Sequence, residues 1–169
     1  DSEGFTDSAL VSISYNMPPV LANIEGMALS YTENMGATII SATITAMDPD
    51  DANLEGAEIQ ILSNYINGQD ILAVFGVLPS GITALPFNSG AGILNLTGTS
   101  SVANYQTALR QITYDNLSEN PNSATRSVSF TVFDGDLPSN TATRDINVIP
   151  VNDCPVAVND AFMTDEHTT

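Results

Sequence analysis

Three observations predict an all-β fold, a Greek-key β-sandwich with one short helix. Short runs alternate apolar and polar residues at the period of a strand, and Gly, Pro, Asn and Asp punctuate them. Only one segment carries the helical period. The acidic residues fall mostly where strand-like runs stop, as loop residues at the ends of a sandwich do.

The elements follow in order. Ile24 to Tyr31 reads as a first strand and Ala37 to Met47 as a second, alternating through Thr, Ile and Ala. Ala57 to Leu62 is a third and Ile71 to Phe75 a short fourth. Ile82 to Phe87 and Gly92 to Leu96 form a hairpin around Asn88-Ser89-Gly90-Ala91. Ser101 to Gln111 places Val102, Tyr105, Ala108 and Leu109 on one helical face, with Ser100 or Ser101 as N-cap. Tyr105 and Leu109 are then core anchors. Ile112 to Tyr114, Ser129 to Phe133 and Ala142 to Val151 complete the sandwich. Pro150 interrupts the last of these, which predicts an edge position.

Composition narrows the function. The chain has 169 residues, enough for one domain with flanking pieces, and 43% are hydrophobic, so a core can be buried. Only 14% are charged, and 20 Asp and Glu face three cations, Arg110, Arg126 and Arg144. A net charge of −17 argues against nucleic acid and against anionic membrane surfaces. It fits a salt-adapted secreted surface, carboxylates neutralised by bound cations, or both. Cys154 is alone, so there is no intrachain disulfide, and without Lys there is no Lys–Asn crosslink. No run is long and apolar enough to span a membrane, and no signal peptide is visible.

The two ends resemble each other. Val11 to Asn23 and Ile146 to Asn159 both read as a strand, then Asn, Pro, Val and a second Asn. Pro19 aligns with Pro155, 136 residues on, which puts Asn16 on Asn152 and Asn23 on Asn159. Residues 1–16 are then the last strand of a preceding repeat. Residues 17–153 are one complete module, and 154–169 open the next.

The carboxylates sort by pole. If the first strand descends to Glu33, the second climbs and delivers Asp48, Asp50 and Asp51 to the upper pole. The strand after the helix descends to Asp115 and Asn116. Ser129 to Phe133 climbs to Asp134 and Asp136, and the last strand descends to Asn152 and Asp153. Such clusters repel themselves unless neutralised. Ca²⁺ takes six to eight oxygens from carboxylates, amides and carbonyls. The candidate metal ligands are therefore Glu33, Asp48, Asp50, Asp51, Asp115, Asp134, Asp136, Asn152 and Asp153.

Those segments carry a family resemblance. Tyr31-Thr32-Glu33-Asn34, Met47 to Asn53, Thr113 to Asn116, Val132 to Ser139 and Val151 to Val156 stand in the motif order of a cadherin domain. Tyr105 to Asn116 matches the Y-x-x-A-L-R-x-I-x-Y-x-N stretch of tandem repeats in giant bacterial surface proteins. Residues 17 to 156 thus resemble a bacterial cadherin-like tandem repeat of large surface or adhesin proteins, and are similar to proteoglycan-type repeats. The resemblance implies a cadherin-like, Ig-like sandwich with Ca²⁺ between successive modules. Glu33, Asp115, Asn152 and Asp153 would serve the lower junction. Asp48, Asp50 and Asp134 would serve the upper one, with Asn16 from the incoming linker. The chain departs from the pattern in a reduced acidic motif at Asp115-Asn116, in lacking an acid before Asn152, and in a long insert over roughly Asn64 to Ser100.

The implied role is an extracellular, cell-surface or secreted spacer for adhesion. Its partners are adjacent repeats or neighbouring subunits, with a polysaccharide or cell-surface receptor as a further candidate. Catalysis is not expected: there is no Trp, and the one histidine, His167, lies outside the module. Two alternatives stand beside the spacer. A carbohydrate-binding module would stack sugar on Tyr65 or Phe75 of the insert. A self-assembling fibre or sheath subunit would exchange residues 1–16 with a neighbour.

Overall fold

The computed structural model describes residues 15–153. Eleven strands and one helix build a β-sandwich. They are β1 (Val20–Ala22), β2 (Leu29–Thr32), β3 (Thr38–Ile39), β4 (Thr45–Met47), β5 (Asn53–Ser63), β6 (Asp70–Val74), β7 (Thr83–Ala84) and β8 (Ile93–Ser101), then α1 (Val102–Leu109), β9 (Ile112–Asn116), β10 (Arg126–Phe133) and β11 (Ala142–Ile149). One layer is a six-stranded sheet in the order β2-β11-β10-β5-β8-β7. The other is built from the three-stranded sheet β3-β9-β6 and the ribbon β1-β4. Tyr31 of β2 meets Tyr114 of β9 edge to face between the layers, ring centroids 5.0 Å apart.

Alternation decides which side chains enter the core. Along β5, Ala57, Ile59 and Ile61 are buried at every second position. Leu54 keeps the same face because a bulge falls between it and Gly56. Val128, Phe130 and Val132 of β10 and Ile146 and Val148 of β11 complete that face. The helix forms as expected: Ser101 caps it, its hydroxyl accepting from the Asn104 amide at 3.2 Å. Tyr105, Ala108 and Leu109 are fully buried, and the Tyr105 hydroxyl donates to the Gly98 carbonyl at 2.6 Å. Gly98 has φ +116, and a Cβ there would stand 2.2 Å from the Gly81 carbonyl oxygen, so only glycine allows the loop before β7 to close on β8.

Three expectations need correction. Ile24 to Tyr31 is not one strand: β1 ends at Ala22 and β2 begins at Leu29, and they belong to different sheets. Ala37 to Met47 breaks likewise into β3 and β4. Glu25 lies at both breaks, accepting from the Ser41 hydroxyl at 2.5 Å and the Ala42 amide at 2.9 Å. This carboxylate replaces the ladder bonds that the chain gives up there. Finally, β11 is not an edge strand. It lies between β10 and β2, pairing parallel with β2 from Ile146↔Leu29 to Ile149↔Thr32. Pro150 stands just beyond its end and terminates it.

Candidate cation-binding poles

Strand directions put the acidic loops at two opposite ends. β4, β8 and β10 climb to the upper end, and β2, β9 and β11 descend to the lower one. At the upper pole, carboxylate oxygens of Asp48, Asp51 and Asp134 all lie within 4.8 Å of one another. Local turns hold two of them. Asp48 Oδ1 accepts from the amides of Asp50 at 3.2 Å and Asp51 at 2.9 Å. Asp134 Oδ1 accepts from the amides of Asp136 at 2.8 Å and Leu137 at 2.6 Å. Asp48 Oδ2 is buried without a hydrogen-bond partner among the described residues, and Asp134 Oδ2 accepts from Asn16 Nδ2 at 3.0 Å.

Asp50 and Asp136 lie outside this triad. Asp50 grips the incoming chain, its carboxylate accepting from the Met17 amide at 3.1 Å. With Tyr15, Asn16, Asp51 and Asp136 it lines an open cleft of about 580 Å³. Glu55 also reaches this pole, unforeseen in the sequence: a Cβ on Gly135, whose φ is +107, would stand 2.8 Å from its carboxylate.

The electrostatics divide the triad. Desolvation, then the negative charges of Asp48, Asp50, Asp134 and Asp136, push the Asp51 carboxyl above its ordinary pKa. Burial pushes Asp134 the same way, but the amides of Leu137 and Asp136 and the Asn16 carboxamide outweigh it and hold Asp134 below the usual range. Among the described residues no side-chain cation relieves the cluster, because each arginine is bound elsewhere. Arg110 donates to the Ile44 carbonyl, Arg144 pairs with Glu25 and donates to the Met27 and Ile40 carbonyls, and Arg126 lies in the core against Asp70.

At the lower pole, Glu33, Glu119 and Asp153 bring carboxylate oxygens within 4.8 Å of one another. Glu33 is 5% exposed. Its Oε2 accepts from the Val151 amide at 2.7 Å, and its Oε1 is buried without a partner among the described residues. Glu119 was not among the residues expected from the sequence. Asp115 is not part of this group. Asp115 Oδ1 instead accepts from the Tyr31 hydroxyl at 2.5 Å and the Asn116 amide at 3.0 Å, just inside the pole. Burial and this carboxylate push the Tyr31 phenol up to about 12. Asn152 is exposed beside Asp153.

A buried network positions the Glu119 loop. Asp70 Oδ1 accepts from the Tyr114 hydroxyl and the Asn116 carboxamide, each at 2.6 Å, and from Arg126 Nε at 3.3 Å. Arg126 also donates to the carbonyls of Asn122 and Ala124. Both ends of residues 117–125 are thus fixed to one ion pair, because the Ser118 amide donates to Asn116 Oδ1 at 3.0 Å.

Chemically, each pole offers clustered hard oxygen donors and one buried, unpartnered carboxylate oxygen. An orphaned anionic oxygen is costly, and a divalent cation with oxygen preference fits it. Tyr65 of the insert is no open stacking platform: it is half-buried, donates to the Ser89 carbonyl at 2.6 Å and packs edge-on against Phe87. Phe75 is 66% exposed. Residues 1–14 and 154–169, where the flanking repeats were expected, lie outside the described residues. Among the described residues no helix is long and apolar enough to cross a membrane.

No protein-family model and no solved structure matches the chain. Over 116 residues, 68% of its length, the chain is 34% identical to Halomucin of Haloquadratum walsbyi (strain DSM 16790 / HBSQ001). The chain covers 1% of that protein, so the similarity joins this module to one small stretch of a far longer chain.

Proposed function

We propose that this chain is a calcium-binding, extracellular repeat module of a large surface protein, and that it stiffens a rod of tandem domains for cell adhesion. The observation that carries this is the pairing of carboxylates with linkers. Asp50 and Asp134 bind the backbone of Met17 and the side chain of Asn16 where the chain enters. Glu33 binds the backbone of Val151 where it leaves. A cation held at either pole would therefore fix a linker as well as neutralise a cluster. Linker freedom is exchanged for coordination, and successive sandwiches keep one orientation.

Asp48, Asp51 and Asp134 would hold the upper ion, with the Asn16 carboxamide able to turn its oxygen inward. Glu33, Glu119 and Asp153 would hold the lower one. The ion supplies positive charge and oxygen coordination. The similarity to a small stretch of a far longer protein supports the repeat reading.

The test is thermal unfolding of the chain in calcium, in magnesium and in excess chelator, with calorimetric titration of Ca²⁺. Calcium is expected to raise the melting temperature, and Asp48→Ala is expected to remove much of the rise. No binding heat and an unchanged melting temperature in calcium would overturn the proposal.

A further inference from the structure

We infer that Asn95 is a site of N-linked glycosylation, which rests on the extracellular reading above. Asn-x-Ser/Thr triplets mark acceptor asparagines in secreted proteins. The sequence holds two, Asn95-Leu96-Thr97 and Asn116-Leu117-Ser118. The fold separates them.

Asn116 is 2% exposed. Its carboxamide nitrogen donates to Asp70 Oδ1 at 2.6 Å, and its oxygen accepts from the Ser118 amide at 3.0 Å. A glycan on that nitrogen would have to displace the core ion-pair network, so the folded module has no room for one.

Asn95 lies on β8, where Leu94 and Leu96 face the core. Residues two apart on a strand share a face. Asn95 and Thr97 therefore both stand on the outer face of the six-stranded sheet, Thr97 exposed and Asn95 half-exposed. Glu58 of β5 is opposite Asn95 on one side. On the other, the Leu85 amide bonds to the Asn95 carbonyl, and the Leu85 side chain is 44% exposed. A sugar on Asn95 would project from this face and cover Leu85, with every ladder bond of β8 intact.

The donor is a glycan carried on a lipid phosphate. The Asn95 carboxamide nitrogen bonds to its anomeric carbon. The anomeric C–O bond breaks with its electron pair leaving on the phosphate, and the amide proton passes to a base of the transferase. The Thr97 hydroxyl supplies the second half of the recognition element.

The test is glycopeptide mass mapping of the protein isolated from its native cells, after protease shaving of intact cells has established whether it is exposed there. The expected result is a glycan on the Asn95 peptide and none on the Asn116 peptide. Thr97→Ala should abolish the modification and Thr97→Ser retain it, with the same melting temperature in both. A surface-exposed protein with bare Asn95 overturns the inference and leaves the extracellular reading standing. A protein absent from the surface overturns both. A glycan on Asn116 overturns the assignment of the acceptor.

Discussion

Asn16 donates its carboxamide proton to Asp134 at 3.0 Å, although 118 residues separate them. The incoming linker is thus fastened to the turn between β10 and β11 before β1 begins. Pro18 and Pro19 follow at once and limit the freedom of the chain between that tie and β1. If the upper pole holds calcium, Asn16 is a linker-borne part of the site. Asn16→Ala is expected to weaken calcium binding by roughly tenfold, the equivalent of about 1.4 kcal/mol. Stability in chelator should change by no more than about 1 kcal/mol, the ordinary worth of one such hydrogen bond. Titration calorimetry and chemical denaturation separate the two, and equal calcium affinity in both proteins would exclude Asn16 from the site.

Asp51 should show opposite effects with and without the cation. Its carboxyl is held above the ordinary pKa by desolvation and by four neighbouring acids. A carboxyl raised in the folded state stabilises only while protonated, so its ionisation works against the fold as pH rises through that raised value. Asp51→Asn removes a repelled charge and also a cation ligand. At neutral pH it is expected to raise the melting temperature in chelator and to shrink the rise that calcium produces. Loss of stability in chelator would show that Asp51 holds the turn rather than strains it.

Much of the architecture was legible in the sequence because its signals are local. Alternation marked most strands, and Ser101 with the spacing of Tyr105, Ala108 and Leu109 marked the helix. The meeting of Asp48, Asp51 and Asp134 followed from strand direction alone, since each acid ends or follows a climbing strand. Glu119 was not legible, because its place depends on a loop of irregular backbone tied down by Arg126 and Asn116. Asp115 carried the right motif and still lies apart from the triad, because Tyr31 reaches across the sandwich to claim it. The breaks at Glu25 and Ser41 were hidden for a similar reason. Their residues keep strand-like composition, and only the bond between them shows where the chain changes sheets.

Glu25 gives a pH signature that no cation is needed to read. Burial opposes its charge, but the Ser41 hydroxyl, the Ala42 amide and Arg144 prevail and lower its pKa from 4.5 to about 2. A depressed carboxyl contributes stability that is fully present above its unfolded pKa and is lost as pH falls through the folded one. The contribution should therefore fade between about pH 4.5 and pH 2. Glu25→Gln is expected to cost about 1 kcal/mol at pH 7, as for a partly exposed, hydrogen-bonded charge. The two proteins should converge in stability near pH 2. Urea melts across that range check it, and a pH-independent difference would mean that Glu25 acts through packing.

The ion pair of Asp70 and Arg126 should couple core stability to the lower pole. Both side chains are fully buried, and Asp70 also receives the Tyr114 hydroxyl. Asp70→Ala leaves a buried guanidinium without its partner, a change that costs about 3–5 kcal/mol. It also releases Asn116 and Arg126, the two anchors of the loop that carries Glu119. The expected outcome in urea is a lower midpoint with little change in slope, together with loss of whatever calcium binding depends on Glu119. Replacing both partners, Asp70→Leu with Arg126→Met, should recover much of the stability, because no charge is then stranded. It should not recover the binding, since the carbonyls of Asn122 and Ala124 would have lost their donor. Stability and calcium affinity that return together in the double variant would show that the loop is positioned by packing, and not by the ion pair.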